Sequence, residues 1–200
     1  MVYRNERREQ LTKECENISD NLLRCFLKNE YGENKPIDIA KMAVSFFNLN
    51  IEYGKLSSDC SVCGVISDNN MSIEQEMNNY GRVRFTIAHE CAHFVINKTL
   101  INQKDHICFD YGAKELLADI IASCLLMPKY LVDYSVEYSN LSLPITVYDN
   151  NMVKGYDYKN TKTASQLLKV SLSAFINRLK DLGQTKNGNT EIGKLIPVIA

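Results

Sequence analysis

Arg84-Phe85-Thr86-Ile87-Ala88-His89-Glu90-Cys91-Ala92-His93-Phe94 is the stretch on which the fold turns. Residues 82–97 read as a helix, in which positions four apart lie one turn above another on the same face. His89 and His93 can therefore aim two imidazoles at a single ion. Glu90 follows the first of them and is angled toward a water on that ion instead of the ion itself. This is the HExxH spacing, in which two histidines ligate zinc and the glutamate acts as a base. Two satisfied core histidines would be the bland alternative. Against it, the chain has three histidines and two of them occupy this pattern.

A hydrolytic zinc site needs a third protein ligand and an open fourth position. Downstream candidates are His106, Asp110, Glu115 and Asp119. Residues 112–126 read as a second helix, which Pro128 stops. Glu115 and Asp119 share one face of it among Leu116, Leu117, Ile120 and Ile121, so the pair is expected to be buried and to serve a charge. Glu115 is expected as third ligand. Asp119 would accept a hydrogen bond from the far nitrogen of a ligating histidine and fix its tautomer. The reverse assignment, with Asp119 on the metal, stays open. His106 lies in a loop-like polar stretch. Tyr111, Arg82 and His106 are candidates for steadying an oxyanion.

Outward from this centre, residues 4–29 read as an amphipathic helix with Leu11, Cys15, Ile18, Leu22 and Cys25 on one stripe. That face is expected to pack on the domain. Its 4-3 repeat also suits a coiled-coil seam, so a homodimer through this helix is carried as an alternative. After a polar link, Pro36 is placed in the first turn of a helix over 36–48. Strands are expected over 49–53, 62–67 and 71–74, with a turn at 67–70. Residues 130–162 show no periodicity. Residues 164–168 and 172–182 read as two short helices, with Ser171 as an N-cap and Gly183 as a terminator. Residues 194–200 form an apolar tail expected to add a strand or dock. The expected fold is α+β: a mostly helical core with a small, about three-stranded sheet and a C-terminal helical segment. The divisions are 1–35, 36–135 and 136–200.

The bulk numbers narrow the function classes. With 45% hydrophobic and 24% charged residues, 200 residues can bury a core without covalent staples. A net charge of −1 gives no bulk drive toward nucleic acid or anionic membrane. No apolar run approaches the roughly 20 residues of a membrane span, and residues 1–10 lack a signal-peptide core. Seven cysteines, an odd number, suit free thiols in a reducing, cytoplasmic compartment. Cys60-Ser61-Val62-Cys63 is a CxxC without a second half and precedes a strand, so no role is assigned to it. Cys91 is read as a packing residue, with an oxidation switch as the alternative. The helix pair over 164–183 has helix-turn-helix spacing, but its second helix offers only Arg178 and Lys180 as bases. It is read as a packing or substrate-docking module, and no nucleic-acid partner is expected.

The segments 84–93, Glu115-Leu116-Leu117-Ala118-Asp119, Leu125-Leu126-Met127-Pro128 and the run from Val170 to Gly183 together resemble the ImmA/IrrE family of metallopeptidases. The similarity covers about residues 36–183 in order. It implies a zincin-like core, a zinc ion, and Glu115 as third ligand, in agreement with the choice above. It also implies a selective cytosolic protease that acts on a helix-turn-helix repressor and so releases transcription of a mobile element or stress response. Two departures, Cys91 and Ala92, are small or apolar and leave the ligands in place. The N-terminal helix is too short for the DNA-binding domain that some members carry. A different class of function, a regulatory protein on a zincin scaffold that acts by binding a partner or DNA, is opposed by the intact Glu90, since a binder has no use for a base.

Overall fold

The computed structural model describes residues 2–59, 61–77, 79–102, 111–188 and 195–196. They divide into two compact units, Met1–Tyr31 with Ile37–Leu126, and Gly32–Pro36 with Met127–Ala200. The architecture is mostly helical α+β, as expected.

The first unit contains α1 (Val2–Leu27), α2 (Ile39–Ser45), β1 (Asn50–Gly54), β2 (Gly64–Ser67), β3 (Asn70–Glu74), α3 (Tyr80–Asn102) and α4 (Tyr111–Leu126). Helix α1 packs on α4. Its buried line is Thr12, Cys15, Ser19 and Leu23, whereas Ile18 of the expected stripe is 39% exposed and Cys25 is exposed. A straight helix turns every 3.6 residues, so a 4-3 apolar repeat drifts off the buried face. Small Thr12 and Ser19 fill the line instead. Helix α2 starts later than the proline suggested, because the Asp38 side chain caps it by accepting from the Lys41 amide at 3.0 Å. It stops before Asn48, which takes a left-handed φ of 57°.

The three strands fall close to their expected places. Sheet order is β1-β3-β2, with β1 parallel and β2 antiparallel to the central strand. Ser67 pairs with Asn70 across the turn, and Asp68 takes φ 53° there. Gly64, Ile73 and Tyr53 share one face, as do Ile66, Met71 and Ile51. That face packs on α3, with Met71 and Ile73 fully buried. At the end of β3 the buried Glu74 carboxylate accepts from the amides of Leu56 at 2.8 Å and Glu76 at 3.0 Å. Those bonds, that from Glu76 foremost, outweigh burial and hold its pKa below the ordinary value.

Helix α3 is longer than the expected 82–97 at both ends. The Asn79 side chain accepts from the Arg82 amide at 3.2 Å, and buried Arg84 donates to the Ile37 carbonyl at 2.8 Å. Helix α4 buries Ala118, Ile121, Ala122 and Leu125, one face at helical spacing. Among the described residues no helix is long and apolar enough to cross a membrane.

The second unit contains α5 (Lys129–Tyr138), β4 (Ile145–Tyr148), β5 (Met152–Lys154), α6 (Gly155–Leu167), α7 (Leu172–Asp181), β6 (Thr185–Asn187) and β7 (Leu195–Ile196). Its strands make a second sheet, ordered β6-β4-β5-β7. The stretch 130–162, silent in sequence, thus holds a helix, two strands and the start of another helix. The helix expected over 164–168 is the end of the longer α6. Of the apolar tail, Leu195 and Ile196 are described, and they pair with Lys154 and Val153. Ser171 caps α7 by accepting from the Ala174 amide at 3.1 Å. Gly183 follows α7 with φ 67°, the left-handed C-terminal stop that glycine adopts without a Cβ penalty. Arg178 is 1% exposed and donates to the Met127 carbonyl at 3.0 Å. Its charge is therefore turned inward, and of the two bases on α7 only Lys180 is offered outward.

Candidate metal centre

His89, Glu90 and His93 lie along one stretch of α3, and Glu115 and Asp119 lie one turn apart on α4, which packs beside it. The Nε2 atoms of His89 and His93 are 3.0 Å apart. Glu115 brings Oε2 to 3.3 Å from His89 Nε2 and Oε1 to 3.3 Å from His93 Nε2. These three residues could hold a metal ion together. Zinc bonds nitrogen and oxygen at about 2.0–2.2 Å in a tetrahedron, which sets neighbouring donors about 3.3 Å apart. In this donor triangle the two Glu115 contacts end on different carboxylate oxygens, each close to that spacing from its histidine, and the chemistry, two imidazoles and a carboxylate, suits zinc.

Asp119 Oδ1 stands 2.9 Å from His89 Nδ1. A hydrogen bond donated there by Nδ1–H leaves the Nε2 lone pair directed at the triangle. Asp119 therefore meets the side of the ring opposite the donors. Among the described residues the group that could hold a metal ion includes Glu115 and not Asp119. The expected burial of the acidic pair is not found: the side chains of Glu115 and Asp119 are 34% and 57% exposed. The apolar neighbours misled, because Ala118, Ile121, Ala122 and Leu125 carry the packing while Leu116 is itself 40% exposed.

The protonation preferences separate the groups. Burial disfavours the charged ring of His89, but the hydrogen bond and charge of Asp119, with Glu90 and Glu115, outweigh it and raise its pKa. His93 moves the other way, lowered by burial and then by the neighbouring His89. Glu90 is raised by burial, with His89 opposing and Glu115 adding to the shift. A carboxylate held above its usual range in a cleft suits proton transfer. Cys91 points away from this chemistry: fully buried, its thiol is pushed up to about 12 by burial first and then Glu90. That favours the packing role over an oxidation switch, since the thiolate is the reactive form.

The centre opens on a cleft of about 720 Å³ lined also by Cys63, Gly64, Ile66, Phe85 and Asn97. Arg82 lies on this cleft and donates to Cys63 Sγ at 2.9 Å. His106, Asp110, Cys60 and the side chain of Tyr111 lie outside the described residues. Gly64 was not singled out in the sequence. It sits on β2 directly over α3, where an added Cβ would come within 2.6 Å of Thr86 Cγ2 and 2.9 Å of Glu90 Oε1. A glycine within a strand pattern, which often marks close backbone approach, was the available signal.

A sequence model described as Peptidase_M78, the IrrE N-terminal-like domain, matches residues 42–180. The matched segment takes in both histidines, Glu90, Glu115 and Asp119, and covers more than half of the chain. No curated protein matches.

Proposed function

The chain belongs to the Peptidase_M78 metallopeptidase family, and from that premise we propose that it is a zinc-dependent endopeptidase of the cytoplasm. We propose further that it cuts a regulator protein, a helix-turn-helix repressor, at one site. The observation that carries the enzymatic reading is the convergence of His89, His93 and Glu115: the two Nε2 atoms are 3.0 Å apart, and each is 3.3 Å from a different oxygen of the Glu115 carboxylate. Glu90 stands outside this ligand set, on the same cleft. The regulator as substrate rests on the resemblance to the ImmA/IrrE proteins.

His89, His93 and Glu115 would hold the ion, and Asp119 would orient His89. Zinc bound there supplies a Lewis acid that acidifies a water and polarises a peptide carbonyl. Glu90 accepts the proton of the attacking water and returns it to the amine that leaves when the C–N bond breaks. The water's oxygen ends in the new carboxylate.

The test incubates zinc-loaded protein with a purified helix-turn-helix repressor from its own genome, and separately with a proteome-derived peptide mixture. New N-termini are read by mass spectrometry. The expected result is one cut in the repressor, abolished by a chelator and by Glu90→Gln. Fragments that persist with the chelator or in the Glu90→Gln protein contradict the mechanism. Chelator-sensitive cuts in the peptides with an intact repressor contradict the proposed substrate.

A further inference from the structure

Gly64 is the first residue of β2, the edge strand of the first sheet, on the face that packs against α3. A Cβ built there would lie 2.6 Å from Thr86 Cγ2, 2.9 Å from Glu90 Oε1 and 3.1 Å from Glu90 Cγ. Thr86 and Glu90 are one helical turn apart, so the bare backbone of Gly64 is wedged over that turn. Gly64 does not take a left-handed conformation, and its need here is for space. We propose that Gly64 is a positioning residue for Glu90: the side chain it lacks leaves the volume in which the glutamate is held over the cleft. This inference rests on the peptidase reading.

What would yield to a methyl group decides the consequence. The strand cannot retreat cheaply. Gly64 pairs with Ile73 of the central strand, and the neighbouring Cys63 carbonyl accepts from the Glu74 amide at 2.9 Å. Thr86 is buried and its methyl makes the tightest contact, but a threonine in a helix has a second χ1 rotamer to turn to. Glu90 has three side-chain torsions and one end open to the cleft. A turn of Thr86 relieves only its own contact; those with Glu90 Oε1 and Cγ remain, and rotation of Glu90 is their least costly relief, which removes the carboxylate from its place on the cleft. A substitution at Gly64 is expected to cost proton transfer while sparing metal binding and substrate binding.

The test compares Gly64→Ala with wild type, and Gly64→Ala/Thr86→Ser with Thr86→Ser. The double variant removes the Thr86 methyl that makes the tightest contact, and is the one measured should Gly64→Ala alone not fold. A quenched fluorescent peptide that spans the site wild type cuts, in the repressor or in the mixture, serves as probe. Expected for both comparisons is a fall in kcat of about 10²-fold, with KM and zinc stoichiometry unchanged. Crystal structures of the metal-free variants are expected to show Glu90 in a different rotamer with β2 in place. Full kcat in either variant overturns the proposal, as does restoration by Thr86→Ser or an unmoved Glu90. Absence of chelator-sensitive cleavage by wild type contradicts the peptidase reading itself. The metal-free structures still decide whether Gly64 sets the place of Glu90.

Discussion

His89 is occupied at both ring nitrogens: Nε2 faces His93 and Glu115, and Nδ1 meets Asp119 at 2.9 Å. Removing the Asp119 charge should act through the histidine. Asp119→Asn is expected to weaken zinc binding by about 10–100-fold, measured by competition with a chelator of known affinity. In the metal-free protein the same variant should lower the His89 pKa, because the Asp119 bond and charge lead the influences that raise it; an NMR titration reads this directly. Glu90→Gln should keep its zinc and lose about 10²–10⁴-fold in cleavage rate, checked by metal analysis and peptide kinetics on one sample. At this scale most of the centre was legible. The spacing of His89, Glu90 and His93 is a local property of one helix, so sequence carries it. The division of labour between Glu115 and Asp119 was expected from the sequence with its reverse left open; the exposure of both side chains, which depends on how α3 meets α4, was not. The role proposed for Gly64 depends on how closely a strand crosses a helix, which a glycine in a strand pattern signals without naming the residue approached.

Elements formed where local chemistry was strong. The Ser67–Asn70 turn with its flanking strands and the Ser171 cap were readable because turn and cap residues stand beside the segments they punctuate. Ser171→Ala should cost about 1 kcal/mol by loss of the bond from the Ala174 amide, seen as a lower urea midpoint. Glu74 anchors the end of β3 through the amides of Leu56 and Glu76. Its pKa is lowered in the folded protein, so the stability it contributes is complete above the unfolded value of about 4.3. That contribution is lost as pH falls through the lower native value. Wild type should therefore be more stable than Glu74→Gln at pH 7, and the difference should shrink on acidification through the carboxylate range. Urea titrations at several pH values check this. The buried face of α1 was misjudged because an apolar stripe does not reveal that Thr12 and Ser19 fit better against a neighbouring helix. Of the second sheet only the strand in the apolar tail was anticipated, as one of two alternatives; β4, β5 and β6, of three or four residues each, are too short to leave a periodic trace.

At the scale of the whole molecule, two units of comparable standing emerge from a chain whose sequence advertises chemistry in only one of them. The donor triangle and cleft lie entirely in the first unit, so zinc should stabilise that unit by mass action. At a free zinc level about 100 times the dissociation constant the gain is about 2.7 kcal/mol, and it should vanish in His93→Ala. Calorimetry with and without zinc measures it. The most direct measurement on the centre itself is anomalous diffraction at the zinc edge from zinc-soaked crystals. One peak is expected within about 2.2 Å of His89 Nε2, His93 Nε2 and a Glu115 carboxylate oxygen, with Asp119 still on His89 Nδ1. A peak bonded to Asp119 in place of Glu115, or no peak between the two histidines, would contradict the assignment.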